Sequence, residues 1–148
     1  MRRYEIGLYE KAMPELSWPE KLAAAKEAGY DFVEISIDAS EEKIGRVYMP
    51  REERQALSAL LEEYDMPLRT MNMSALTKYA LGDEDDAVRE RGLDIARHCL
   101  PLAAALGVRI VMFPGYDVYY KPSTPETVRR FAEAMDEMKA LADAYAAE

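Results

Sequence analysis

Polar and aromatic residues gather at four places along this sequence of 148 residues. They are Tyr9-Glu10-Lys11; Glu34, Ser36 and Asp38; Asn72, Ser74, Thr77 and Lys78; and Tyr116, Asp117, Tyr119, Tyr120 and Lys121. Each group closes or directly follows a short apolar run. Carboxylates, hydroxyls, amides and ammonium groups in such clusters can hydrogen-bond a polyhydroxylated small molecule, move a proton or attract a phosphate. Glu34 alternates with Val33 and Ile35, so it points away from them. Facing a barrel interior it would be an acid, a base or a substrate hydrogen-bonder; facing outward it would be a rim charge. Asp38 suits a cap on the Asp38-Ala39-Ser40 turn better than a ligand contact. Lys11, Lys78 and Lys121 read as solvated surface more readily than as phosphate ligands.

Other chemistries lack their residues. The sequence holds no P-loop, no GxGxxG and no CxxC. Its single histidine, His98, falls mid-helix, away from the strand ends, and its single cysteine, Cys99, sits in an apolar helical setting as a small core residue. Asp83, Glu84, Asp85 and Asp86 suit a helix start, where carboxylates complement the dipole, rather than a metal site. A catalytic metal needs several inward His or carboxylate ligands, and Glu34 alone qualifies. The residues by themselves describe a ligand-binding α/β protein.

The elements that position these groups repeat four times as strand then helix. The strands are expected at Ile6–Tyr9, Phe32–Ile37, Leu68–Met73 and Val108–Phe113. Ser17-Trp18-Pro19-Glu20 is a capping box for the first helix, which Gly29 stops. Met49-Pro50-Arg51-Glu52 starts the second, with Leu57, Leu60, Leu61 and Tyr64 on its buried face. The third starts in the acidic run, reaches about Leu106 with a bend at Pro101, and ends at Gly107. Thr124-Pro125-Glu126 caps the fourth, lined inside by Val128, Phe131, Met135, Met138, Leu141 and Tyr145. "EAGYDFVEIS" and "ALGVRIVMF" share one design of helix end, glycine and strand, and Gly29 and Gly107 supply its left-handed residue. Such units imply an α/β fold with a parallel sheet covered by helices. Four of them make either a small open sheet or half of an eight-stranded TIM barrel, whose full length is about 250 residues. We expect a single domain, 1–148, and a half-barrel would leave two bare sheet edges and an apolar inner face.

The net charge of −9 and the absence of a Lys/Arg cluster argue against nucleic acid or an anionic membrane as partner. The amino terminus has no apolar core of a signal peptide, no run is long enough to span a bilayer, and a cytoplasmic location is expected.

Four stretches carry a resemblance: "GLYEKAMP" at 7 to 14, "AGYDFVEISID" at 28 to 38, "LGDEDDAVRERGLDIAR" at 81 to 97 and "GVRIVMFPGYDVYY" at 107 to 120. They resemble the L-ribulose-5-phosphate 3-epimerase / L-xylulose-5-phosphate 3-epimerase family, members of which are also called hexulose-6-phosphate isomerases, within the xylose-isomerase-like TIM barrels. The resemblance runs along nearly the whole chain. It implies proton removal beside a ketose carbonyl and its return on the other face, with a divalent metal stabilising the enediolate and two glutamates as acid and base. In that family the metal ligands lie on strands five to eight, so the resemblance implies an amino-terminal half-barrel, truncated before them, that does not fully ligate a metal. It implies a sugar-phosphate pocket built from Tyr9, Glu10, Lys11, Glu34, Ser36, Ser74, Gly115, Tyr116 and Asp117, and leaves the catalytic residues unassigned. Two departures stand out: Ser74-Ala75-Leu76 where the family tends to read Ser-Ala-His, and Pro114 before the Gly-Tyr-Asp motif. The other expectation is a non-catalytic half-barrel that self-associates, as a homodimer or otherwise, through its open sheet edges.

Overall fold

The computed structural model describes residues 4–146. Strands β1 (Gly7–Tyr9), β2 (Phe32–Ser36), β3 (Leu68–Asn72) and β4 (Ile110–Met112) form one sheet in the order β1-β2-β3-β4. Every neighbouring pair is parallel, as strands joined through helices must be. All four fall inside the expected ranges. Helices α1 (Trp18–Glu27), α2 (Glu41–Gly45), α3 (Arg51–Glu63), α4 (Asp86–Ala105) and α5 (Pro125–Ala146) lie between or after them. Helix α2 is absent from the sequence expectation because its five residues are too few to show a period. Pro101 lies inside α4. Among the described residues no helix is long and apolar enough to cross a membrane.

The helices start and stop for local reasons. The Glu20 carboxylate accepts from the Ser17 N–H at 2.8 Å and the Ser17 hydroxyl at 2.6 Å, closing the start of α1. Asp85 caps α4, its Oδ1 accepting from the N–H groups of Ala87 and Val88. Gly29 and Gly107 hold φ of 78° and 70°, and the helix-to-strand turn at both bonds back in the same pattern. The turn after α3 repeats that pattern with Asp65 at φ 46°, a position that asparagine and aspartate tolerate.

Alternation divides the sheet. Val33, Ile35 and Met71 pack under the helices with Leu22, Ala25, Leu61, Leu93 and Ile95 in one buried cluster. Among the described residues the opposite face is only partly covered. It carries Tyr9, Glu34, Thr70 and Asn72, each part-buried, with Ile110 at 61% and Met112 at 47% exposure. This open face is therefore mixed rather than wholly apolar, with a polar row between apolar neighbours. Beside the bare edge of β4, a groove of about 640 Å³ opens between α4 and α5, lined by Leu100, Val108, Val111, Phe113, Met135 and Met138 among others.

Candidate functional site at the carboxyl ends of the strands

Glu34 lies on the open face, not on the rim. The ladder between β2 and β3 shifts register between Val33 and Glu34, pairing Glu34 with Thr70 and Ser36 with Asn72. Such an irregularity re-aims side chains, and here it brings Thr70 Oγ1 to donate to Glu34 Oε2 at 2.6 Å and Asn72 Nδ2 to Oε1 at 3.4 Å. Both donors are neutral. An ionised carboxylate has about four acceptor sites, so Glu34 keeps capacity for a ligand on this face. On its other side the register places Tyr9, whose hydroxyl shares a 3.0 Å hydrogen bond with Ser36 Oγ. Ser36 itself is fully buried.

Glu10 stands one residue past β1 and is fully buried. Its carboxylate accepts from Lys21 Nζ at 2.5 Å, from Ser36 N–H at 2.9 Å and from the Arg46 guanidinium, with Lys43 Nζ farther off at 3.5 Å. Arg46 also donates to the Ser36 carbonyl at 3.0 Å, and the Trp18 ring lies 5.2 Å from its guanidinium and 5.4 Å from the Lys21 ammonium. Burial alone would raise the Glu10 carboxyl; hydrogen bonds from Arg46, Lys21 and the Ser36 N–H outweigh it and hold the group at about 2. This network ties α1, α2 and the end of β2 to the residue after Tyr9. Lys21, Lys43 and Arg46 are absent from the sequence expectation, which looked for cations only directly after strands. Their one sequence signal is a basic residue beside buried helix positions such as Leu22 and Ile44.

The remaining expected residues divide. Ser74 Oγ is buried and has no hydrogen-bond partner. Tyr116 shares a 2.6 Å hydrogen bond with Thr77, which joins the segments after β3 and β4, and its ring lies tilted against Tyr119 with centroids 5.0 Å apart. Gly115 has open space where a Cβ would stand. Asp117 faces inward: Ser123 donates to it at 2.7 Å and Thr127 donates to its other oxygen, and these hydroxyls hold its carboxyl below the usual range. Gly82 docks on the same loop, donating to the Asp117 carbonyl at 3.1 Å, and a Cβ there would meet that oxygen at 2.7 Å. Lys11 pairs with Asp38 at 3.3 Å, while Asp38 also accepts from Ser40 as a turn cap. Asp83 is buried rather than surface-exposed, and Lys121 pairs with it at 2.7 Å. Cys99 is buried in the core, and burial pushes its thiol up to about 12.

A family model described as xylose isomerase-like TIM barrel matches residues 22–147. The chain belongs to this family. It is 40% identical over 142 residues to the L-ribulose-5-phosphate 3-epimerase UlaE of Escherichia coli O139:H28, covering 95% of this chain and 50% of that protein. Among solved structures, the 3-keto-D-glucoside 4-epimerase YcjR of E. coli aligns with a TM-score of 0.73 at 20% identity, over 97% of this chain and 54% of that one. An L-ribulose 3-epimerase aligns at 0.67 and 21%, over 95% and 46%. At those identities the structures show the fold alone. The chain spans about half the length of the relatives it matches, and its four strands account for half of a TIM barrel.

A divalent metal does not fit the described residues. Among them no three His, Cys, Asp or Glu side chains converge, and the glutamates nearest the pocket are held by a hydroxyl and an amide (Glu34) or by cations (Glu10).

Proposed function

We propose that this chain forms the substrate-holding half of a sugar-phosphate 3-epimerase acting on a ketopentose phosphate, L-xylulose 5-phosphate or L-ribulose 5-phosphate. The 40% identity to an L-ribulose-5-phosphate 3-epimerase over nearly the whole chain carries this reading. The open face supports it, because Tyr9, Glu34, Thr70 and Asn72 form a polar row of the kind that grips sugar hydroxyls. In this reading Glu34 accepts from a sugar hydroxyl, and Tyr9, Ser74 and Tyr116 line the pocket. Glu10, Ser36 and Asp117 position the strand-end loops, and Gly115 leaves room for the ligand. Lys11 lies at the edge of the site. In this reading the chain binds and orients the sugar phosphate, and the proton removal and return are assigned to none of its described residues. A phosphorylated sugar is too polar to cross a bilayer unaided, so the reading places the protein in the cytoplasm.

The test is epimerisation of L-xylulose 5-phosphate by the chain alone and by the chain co-expressed with the carboxyl-terminal half of UlaE. Turnover is expected in the assembled pair and is expected to fall at least tenfold with Glu34→Gln. An assembled, folded pair without turnover would sink the proposal. Chelator-sensitive turnover by the chain alone would overturn the division of labour.

A second reading, a non-catalytic half-barrel that self-associates, is favoured by one observation: Ile110, Met112 and the groove beside the bare β4 edge present apolar surface together.

A further inference from the structure

We infer that a second copy of this chain completes the barrel. The β1 edge of each copy pairs in parallel with the β4 edge of the other, and Ile6 and Leu8 of the incoming strand fill the groove between α4 and α5. This rests on, and deepens, the reading of the chain as a self-associating half-barrel, by naming the joint.

Strand stagger carries the proposal. Tyr9, Glu34, Thr70 and Ile110 stand side by side on one pairing line. β1 ends on that line, β2 and β3 cross it, and β4 begins on it. The strands therefore climb toward their carboxyl ends from β1 to β4, as in an eight-stranded barrel with a shear of eight, about one residue per strand. Half a circuit of such a barrel displaces the line by about four residues, so from Ile110 it meets the second copy at Glu5 rather than at Tyr9. Val111 then stands beside Ile6 of the second copy, and Phe113 beside its Leu8.

The surfaces that this register brings together match. Leu8 packs against the core beneath the helices, and Ile6, two residues earlier, points to the same side and is 48% exposed. Val111 and Phe113 line the groove, together with Leu100, Met135 and Met138. The incoming apolar side chains thus arrive at the apolar slot. Toward the barrel interior, the Phe32 ring occupies the space where a Cβ on Gly7 would stand, and the stagger sets Phe32 level with Ile110. Two copies supply each residue twice, a layer of four bulky side chains from alternate strands, which is how a TIM barrel fills its interior. That layer covers Ile110, which is 61% exposed in the single chain. The edges themselves read Gly-Leu-Tyr and Ile-Val-Met, without the charge or proline that blunts a strand meant to stay bare. A second copy brings both missing edges at once, since four strands and four strands close one barrel and leave none open.

The experiment is disulfide trapping with sedimentation velocity. Glu5→Cys/Ile110→Cys is oxidised beside each single variant and beside the wild type, whose own Cys99 is buried. Within one chain β1 and β4 are three strand spacings apart, about 14 Å, too far for a disulfide; across the joint the two positions are neighbours. A covalent dimer is expected from the double variant and from neither single one. The wild type should sediment as a dimer, and Ile6→Lys should raise its dissociation constant at least tenfold while leaving the melting temperature of the dilute monomer unchanged. A dimer that cross-links through Ile110→Cys alone, or not at all, or that ignores Ile6→Lys, would overturn the joint and leave self-association in place. A ladder of longer cross-linked species would overturn closure by two copies. A wild type that stays monomeric at high concentration would sink both the joint and the self-associating reading, and its uptake of the carboxyl-terminal half of UlaE would give the β4 edge to that partner.

Discussion

Two glutamates, one just past β1 and one within β2, have opposite surroundings. Glu10 is sealed among three cations and a backbone N–H; Glu34 lies on the open sheet face and meets a hydroxyl and an amide. Residue type is the same, so the environment alone separates a sealed, ion-paired carboxylate from one that keeps open acceptor sites on the sheet face. A carboxylate held at about 2 takes no proton near neutral pH and is useless as a base. The largest expected effect tests this contrast directly. Glu10→Gln leaves three buried cations without their counter-charge and should lower stability by about 3–5 kcal/mol in urea denaturation. Glu34→Gln should cost no more than about 1 kcal/mol, because its donors are neutral and an amide oxygen still accepts from them. Equal losses from the two variants would erase the distinction.

Acid titration sharpens the same comparison. The folded Glu10 carboxyl lies at about 2 against an ordinary 4.5. A depressed carboxyl contributes stability that is present above its unfolded value and lost as pH falls through the folded one. The contribution should therefore disappear between about pH 4.5 and pH 2. At 1.36 kcal/mol per pH unit, a difference of 2.5 corresponds to about 3 kcal/mol. Other carboxyls, including Asp38, Asp83 and Asp117, are also held below their ordinary range. The measurement is thus the difference between wild type and Glu10→Gln across the window, which should narrow as pH falls. A constant difference would mean that the cations do not act through the Glu10 charge.

The parallel order of the strands was legible because each unit carries its own punctuation: the capping box at Ser17 and Glu20, and the glycine turns at Gly29 and Gly107. The turn at Asp65 hid because aspartate occupies the left-handed position there. Helix α2 hid because it is short. That Glu34 turns opposite to Val33 and Ile35 was legible through strand alternation, since period two decides which face a residue takes. The role of Glu10 was not legible. Its three cations come from residues 11, 33 and 36 positions away in sequence, and no local pattern reports a contact made by folding. The inward turn of Asp117 was hidden for the same reason, since Thr127, one of its donors, belongs to the next helix.

The smallest expected change in the stability of the single chain is on the open face, away from both glutamates. Ile110 and Met112 are 61% and 47% exposed, so Ile110→Lys with Met112→Lys removes little buried surface and should shift unfolding by no more than about 0.5 kcal/mol for each substitution. The same pair should matter greatly for association, because lysines on a bare strand block edge and face pairing. Sedimentation velocity separates the two consequences. A wild-type chain that sediments as a dimer and a lysine variant that sediments as a monomer, with equal melting temperatures, would assign self-association to this face. A monomeric wild-type chain at high concentration would remove the self-associating half-barrel and leave the open sheet face to a different strand-bearing partner. That partner would need to bring strands to the β4 edge and apolar side chains to the groove beside it, which is what the second half of a relative's barrel does in forming one closed sheet.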